Sequence, residues 1–529
     1  MIKTDIILPL KYNKEDIKAA ISRALPVKAE DVSDERLVKR TLALSSDKPP
    51  HYRATVAFCV GEERERGLLK LKRRVGEYEP FSYTPPTFRA DFRPVVVGAG
   101  PAGLFAALTL AEAGARPIVL ERGLDVDGRR RRVDTFRTLG VLDPECNVQF
   151  GEGGAGTYSD GKLKVGAMDK YKARVLDEFI ARGADASIAY STSAHLGTDR
   201  LSDIVKGVRE QIISLGGEFI FSARLCDLAL VGGELRFVSY ERGGEVIEVP
   251  TRAVILAIGH SARDTISMLY SKGLPAVAKG FGIGVRLEHP REYMNGVVYG
   301  KDAGLISETA SYHLVTHLGS GRSVYSFCMC PGGTVVAATS ETGAIVTNGM
   351  SEYSRMADNS NAAFLVSVTP LDFPSDSALA GIELQRSIER RAFSLTKEYR
   401  APAQRLDDFV ARRGTRELGS VRPSYPRGVE LCEAEAYLPD LVTDSLRASV
   451  ADFEAWMGGF YYPEAVITGP ETRTTSPVRF LRDERNMAEG HSGVFPAGEG
   501  AGYAGGIVSS ATDGIRTAEK LILAYSPDI

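Results

Sequence analysis

Net charge is almost absent from this chain: 65 Lys and Arg stand against 68 Asp and Glu, leaving −3 over 529 residues. Such a balance supplies no global basic field for nucleic acid or an anionic membrane surface. Long apolar runs are absent too, so no stretch reads as a membrane span. The opening "MIKTDIILPLKYNKED" lacks the layout of a signal peptide. Cysteine is scarce: six residues scattered over this length make no disulfide framework, and a reducing, cytoplasmic location is the expectation. No repeat at solenoid spacing occurs. The length exceeds a single core, so two or three domains are expected.

Glycine, by contrast, is plentiful, at 54 residues. In "VVVGAGPAGLFAALTLAEAGARPIVLERG", Val95 to Val97 read as a strand buried on both faces. It runs into Gly98-Ala99-Gly100-Pro101-Ala102-Gly103, a GxGxxG, then a helix over 104–113 stopped by Gly114. A second strand from Pro117 closes on Glu121, 23 residues after Gly98. The glycines give a tight turn, close backbone approach to a pyrophosphate and close packing of the helix, whose amides face the phosphates. An acid at the second strand end suits ribose hydroxyls. Strand, glycines, helix, strand and acid in order predict a dinucleotide site.

Two more glycine-rich stretches bear on which dinucleotide. "FGEGGAGTYSDGKL", Phe150 to Leu163, is too glycine-dense for a packed helix or strand and brings main-chain amides to a ligand. "GVFPAGEGAGYAGGIVSSATDGIRTAEKLI", Gly493 to Ile522, reads as a short strand, a small-residue turn and a helix starting near Gly505. Gly500 to Gly505 also spells GxGxxG, but no second strand with a terminal acid follows, so a second Rossmann unit is rejected. Between them "RAVILAIGHSARDT" gives a buried strand over 253–258 ending at Gly259.

With "QFGEGGAGTYSDGKL", "FGIGVRLEHP", "VTNGMS" and "ETRTTSPVR", these motifs resemble the glutathione-reductase-type FAD superfamily. Within it they resemble the bacterial family of FAD-dependent, or NAD(FAD)-utilising, dehydrogenases, across roughly residues 1–525. The resemblance implies that Glu499 is the ribityl-contacting acid, a place usually held by Asp. The residues favour FAD independently. NAD needs one βαβ unit, whereas the longer FAD explains a glycine motif hundreds of residues away whose helix aims its positive end at the flavin.

The expected fold is α/β: a Rossmann-type FAD-binding domain of the ββα kind around a parallel sheet, an inserted mixed-sheet substrate domain and a small N-terminal α+β module. The expected boundaries are 1–90 for the module, 91–263 for the first part of the FAD domain, 264–480 for the substrate domain and 481–529 for the returning part. In the module a helix is expected over Lys14 to Ala24. Two β-like runs there, "VKRTLALSS" and "YRATVAFCV", flank the turn-forming Asp47-Lys48-Pro49-Pro50, in a split βαβ arrangement. In the substrate domain, 280–290 and 361–370 read as strands, and 322–340 as a hairpin turning at Pro331-Gly332-Gly333.

The cofactor-binding candidates are Gly98, Gly100, Pro101, Ala102, Gly103, Glu121, Arg122, Gly153, Gly154, Thr157, Gly259, Gly498, Glu499, Gly505, Gly506 and Ile507. Lys162 and Arg473 are the catalytic candidates, with Arg286, His289 and Asn348 as further polar groups for the flavin; Arg286 and His289 equally suit solvent. Cys328 and Cys330 form a CxC on an expected strand. No CxxC or CxxxxC follows the FAD unit and no second ligand pair sits at zinc spacing, so they read as structural thiols and no metal is expected. Arg129 to Arg132 read as a solvated helix face or as partners of the cofactor phosphates.

The activity expected is that of an FAD-dependent oxidoreductase passing hydride between flavin and a small organic substrate, with NAD(P)H admitted as a transient reductant. The alternative is an FAD-binding protein that meets RNA or a protein partner through the module. Its Lys11, Lys14, Lys18, Lys39, Arg40, Lys70, Lys72, Arg73 and Arg74 are interleaved with acids, which disfavours nucleic acid. No membrane partner is expected, and the sequence leaves oligomeric state open.

Overall fold

The computed structural model describes residues 1–45, 48–72, 74–163, 166 and 168–526; Ser46 and Asp47 of the expected turn region and Arg73 of the basic set lie outside them. The strand Ile2–Pro9 alternates, with Ile2, Thr4, Ile6 and Leu8 buried and Asp5 and Ile7 exposed, the period of a half-buried strand. It lies between His51–Cys59 and Val75–Glu77, and Ser33–Ala43 completes a four-stranded antiparallel sheet beyond His51–Cys59. Helix Lys14–Ala24 begins at a capping box in which Asn13 and Asp16 satisfy each other's amides. It and helix Glu62–Leu69 cover one face through Ile17, Ile21 and Leu68. Each helix joins two parallel strands with a third strand between them, a pair of split βαβ units.

The middle of the molecule is a five-stranded parallel sheet in the order Val494–Pro496, Val254–Leu256, Val95–Val97, Ile118–Glu121, Glu218–Phe221. Val95, Val96 and Val97 are all buried because both faces are covered. Helices Pro101–Glu112, Lys170–Ala181, Gly197–Ser214 and Ile507–Tyr525 pack on one face. An antiparallel meander, Arg224–Val231, Glu234–Arg242 and Glu245–Pro250, packs on the other with helix Arg263–Ser271. The layers therefore run sheet, sheet, helix.

A seven-stranded mixed sheet follows, ordered Val315–His317, Ser323–Cys330, Asn359–Val368, Phe281–Pro290, Val466–Glu471, Ala401–Arg405, Val429–Leu431. Helices Ala380–Leu395 and Asp440–Trp456 share its core. The hairpin expected over 322–340 does not form. Its first arm, Ser323–Cys330, pairs with Val315–His317 and Asn359–Val368, while Thr334–Ala337 pairs with Thr347–Met350 in a separate ribbon. The turn between them is packed against other backbone: a Cβ at Gly332, which sits at φ +46°, would fall 1.7 Å from the Arg355 carbonyl oxygen. Only glycine fits there, where the chain leaves the sheet instead of running back along it.

Helix Val126–Leu139 corrects a second expectation. Arg130, Arg131 and Arg132 are exposed, but Arg129 is only 1% exposed. Its guanidinium donates to the carbonyls of Asn147 (2.9 Å), Val148 (2.9 Å) and Glu152 (2.7 Å), so it is neither solvated nor free for phosphate. Replacing it leaves these acceptors buried and unpaired. Arg129→Met is expected to cost about 2–4 kcal/mol in chemical denaturation, with Arg129→Lys giving little rescue because ammonium lacks the planar fork. Unchanged stability in Arg129→Met would refute the role of this clamp.

Candidate functional site

A long cleft runs along the carboxyl ends of the parallel strands, the place where open α/β sheets bind ligands. One end lies by Glu121 and Arg122; the other reaches the start of the C-terminal helix at Gly505, Gly506 and Ile507 and the edge of the seven-stranded sheet. Gly98, at φ +100°, makes the first turn, where a Cβ would fall 2.3 Å from the Ala257 oxygen. Gly103 lets the helix close on that turn, since a Cβ there would lie 1.8 Å from the Gly98 oxygen. Gly100 and Gly154 face each other across the cleft wall, with a Cβ on Gly154 only 3.0 Å from the Gly100 Cα.

Glu121 joins these pieces. Its buried carboxylate accepts from the amides of Ala99 (2.8 Å), Gly123 (2.9 Å) and Gly151 (2.9 Å). Arg122 stacks at 4.0 Å over Phe150 and is paired with Glu145 and Asp264, so it forms wall and not a free cation.

Of the other cofactor candidates, Gly98, Gly100, Pro101, Ala102, Gly154, Gly259, Glu499, Gly505, Gly506 and Ile507 line the cleft. Gly103, Gly153, Thr157 and Gly498 stand behind it: the Gly153 amide donates to Ala99 O (2.8 Å), the Thr157 carbonyl accepts from Thr198 (2.5 Å), and the Gly498 amide donates to Asp513 (2.7 Å).

Lys162, Asn348 and Arg473 line the far end of the cleft. The Lys162 ammonium donates to the Met329 carbonyl. Arg473 is buried and committed: it donates to Glu389 through Nε (3.1 Å) and Nη2 (2.8 Å), and through Nη1 to Ser340 (2.5 Å) and Ser261 (3.3 Å). Arg286 and His289, read as suiting solvent or flavin, are buried and outside the cleft lining. Arg286 sits one layer behind it, donating to Glu471 (3.2 Å) and to the Cys328 carbonyl (3.1 Å). His289, three positions along the strand and so on its other face, shares a hydrogen bond with the Phe460 carbonyl (2.9 Å), and burial lowers its pKa to about 4.

Sequence reasoning passed over Glu471, Thr474, Phe327 and His260, and placed Cys328 in the core; all five line the cleft. Glu471 and Thr474 lie in or beside the quoted "ETRTTSPVR". Cys328 reaches the cleft because its strand bulges, a feature with no sequence signal. Burial raises the Glu471 carboxyl to about 7, against the pull of Arg286. Cys328 is held down to about 6, first by the neighbouring Cys330 thiol and then, against its burial, by the charges of Lys162 and Arg286.

The donor set fits FAD. The first amides of both helices aimed at the cleft have no acceptor within their own helix. The gap between Gly100 and Gly154 admits backbone-close binding, and an acid stands at the second strand end.

Residues 93–130 match the model of an FAD binding domain, and residues 280–474 that of the C-terminal domain of an FAD-dependent protein. A protein of Clostridium beijerinckii (strain ATCC 51743 / NCIMB 8052), named only as an uncharacterized protein, is 42% identical over 526 residues, 98% of each chain. This chain belongs to that protein's family. Its matched segments are those of an FAD-dependent protein. The matches support the broad FAD-binding superfamily; the glutathione-reductase-type assignment is narrower than they carry. Among solved structures, a variant of E. coli quinol fumarate reductase FrdA aligns at 12% identity over 84% of this chain and 72% of that one, with a TM-score of 0.38. The 3-ketosteroid-delta4-(5alpha)-dehydrogenase of Rhodococcus jostii RHA1 aligns at 12% over 84% and 100%, with a TM-score of 0.36. Neither likeness carries a functional argument. No helix among the described residues is long and apolar enough to cross a membrane.

The Glu499 carboxyl is raised to about 8 by desolvation in the cleft wall, with Lys279 opposing. The folded chain therefore keeps a proton that an unfolded Glu releases above about pH 4.3, and this group's contribution to stability falls as pH rises from there through 8. In FAD-stripped protein, Glu499→Gln should flatten the loss of stability between pH 5 and 8 and leave the variant more stable than the parent above pH 8. Denaturant titrations across that range decide it; parallel curves would refute the protonated state.

Proposed function

We propose that the cleft holds FAD with its adenosine toward Glu121, its pyrophosphate on the amides of Gly100 and Ala102, its ribityl chain by Glu499 and its ring toward Lys162 and Asn348. The observation that carries this reading is the continuity of one cleft from the strand-end acid, past two glycine loops, to the open amides of the C-terminal helix. Bound there, FAD supplies two-electron hydride chemistry toward an organic substrate.

The chain's own groups do the rest. Amides at Ile507 and Val508 favour negative charge at the cleft's inner end. Lys162 brings a cation to the same end, tethered through Met329. Glu471, poised near neutrality, holds or releases a proton at its carboxyl. Arg473 positions the wall by gripping Glu389. Phe327 and Leu225 narrow the water-accessible part of the cleft.

The Gly500–Gly505 motif leads only into helix Ile507–Tyr525, with no strand after it among the described residues. NAD(P)H, where it serves as reductant, thus enters the FAD cleft as a transient visitor. Of the basic residues offered for an RNA-directed reading, Arg40 is committed, stacking at 4.6 Å over Tyr52, and the interleaved acids disfavour that reading.

Purified protein should be yellow and release FAD, not FMN, on denaturation. Gly100→Val should remain folded by circular dichroism yet bind FAD at least about 100-fold more weakly, ~2.7 kcal/mol. A parent that stays colourless after FAD reconstitution, or a variant that keeps FAD, refutes the placement. Lys162→Met should retain FAD while its midpoint potential moves negative, since a cation near the ring favours the reduced anion. An unchanged potential would remove Lys162 from the site. Anaerobic mixing with NADH and with NADPH tests the reductant separately.

A further inference from the structure

Cys328 and Cys330 lie where the strand Ser323–Cys330 leaves its ladder. Its pairing with Asn359–Val368 shifts between Phe327 and Cys330, and Cys328 takes φ +40°, the left-handed region. On an unbroken strand, residues two apart stand about 6.6 Å apart, near the limit of disulfide reach at about 6.8 Å. The Cys328 side chain lines the cleft, and Cys330 is buried behind it with its thiol donating to the Cys328 carbonyl at 3.3 Å.

Two cations converge on this bulge. Lys162 donates to the carbonyl of Met329, the residue between the cysteines. Arg286 Nη2 donates to the Cys328 carbonyl and lies 3.6 Å from the Cys330 sulfur. Glu471 pairs with Arg286 on its other side, and Asp160 and Glu499 are further acids near Cys328. Cys328, open to the cleft, is placed to attack, and Cys330, shielded behind it, to resolve.

We propose that Cys328 and Cys330 are a redox-active dithiol in the cleft wall, whose oxidant is a small disulfide admitted to the cleft. The Cys328 thiolate attacks one sulfur of the disulfide, breaking its S–S bond and expelling one thiolate. Cys330 gives its proton to that thiolate and attacks the Cys328 sulfur, forming the Cys328–Cys330 bond and expelling the second thiolate. The protein dithiol loses two electrons; the disulfide gains them and leaves as one thiol and one thiolate, so proton and charge balance. The exchange does not depend on the hydride reading above.

The test uses FAD-loaded protein with bis(2-hydroxyethyl) disulfide, followed by intact-mass and peptide mapping. FAD-stripped protein runs beside it, so a failure of cofactor binding shows separately as missing colour. Wild type should lose two hydrogens, carry no adduct and yield a bridged Cys328–Cys330 peptide. Cys330→Ser should accumulate a mixed disulfide at Cys328, and Cys328→Ser should react at neither position. On wild type, iodoacetamide should label Cys328 at least about tenfold faster than the half-buried Cys432, as thiolate character dictates. That measurement stands even where a variant fails to fold. An adduct on wild type that never closes to a bridge, no adduct at Cys328 in folded Cys330→Ser, or Cys328 labelling no faster than Cys432 would each overturn the proposal.

Discussion

One carboxylate organises the cofactor end of the molecule. Glu121 terminates a parallel strand, and its two oxygens gather amides from three separate loops: Ala99 of the glycine turn, Gly123 after its own strand, and Gly151 of the second glycine-rich stretch. Glycine backbones cost the most entropy to order, and three such loops meeting at one wall would otherwise be held weakly. Charge-assisted bonds to a buried acid offset that cost and fix the distance between the turn and the loop facing it. The acid's place at the strand end, which suits ribose, is also the place from which these loops can be tied together.

Arg129 supplies the complementary half. Where Glu121 takes amides, Arg129 takes carbonyls from the same segment, Asn147, Val148 and Glu152, and a Cβ on Gly151 would fall 2.5 Å from its Cδ. The second glycine loop and the residues leading into it are thus gripped by an anion through the Gly151 N–H and by a cation through their C=O groups. Neither side chain is free to answer a ligand with large movement. The amides left for the cofactor are those that no side chain takes, at the two helix starts, and these are the donors that require no reorganisation on binding.

This division explains what was legible in the sequence. Strand Val95–Val97, helix Pro101–Glu112 and the acid at Glu121 follow from local rules of apolar runs, glycine turns and spacing, and helix Lys14–Ala24 spans the residues expected for it. What local rules cannot see is where a turn leads. Pro331-Gly332-Gly333 looks like a hairpin turn, yet packing of Gly332 against Arg355 decides the path. The bulge at Cys328 depends on a register shift against a strand some 30 residues away, so a CxC that reads as one-faced core becomes part of a cleft. Arg286 and His289 read as facing flavin or solvent because nothing in the alternation reveals that the sheet is covered on both faces. Arg129 was hidden for the same reason, since one residue of a four-arginine run turns inward.

The seven-stranded sheet must meet the cofactor cleft in one register, and its apolar core does not secure this, because hydrophobic contact tolerates sliding. A buried charge cluster does. Arg263, from the helix under the parallel sheet, and Arg473, just past the strand Val466–Glu471, grip the same carboxylate on helix Ala380–Leu395: Arg263 reaches Glu389 at 2.8 and 2.9 Å, Arg473 at 2.8 and 3.1 Å. Burial would push Glu389 toward its neutral form, but the two cations more than offset it and carry its pKa well below the ordinary value. Thr472 adds a bond at 2.6 Å to the same oxygen that Arg473 Nε contacts, and Glu341 balances the second cation through Arg263. Such a cluster adds little net stability over apolar packing of the same volume, but planar forks accept only one geometry. Its effect is therefore registration: one joint sets where Glu471 and the Cys328 bulge stand against the glycine loops, and the chemistry of the cleft depends on that alignment.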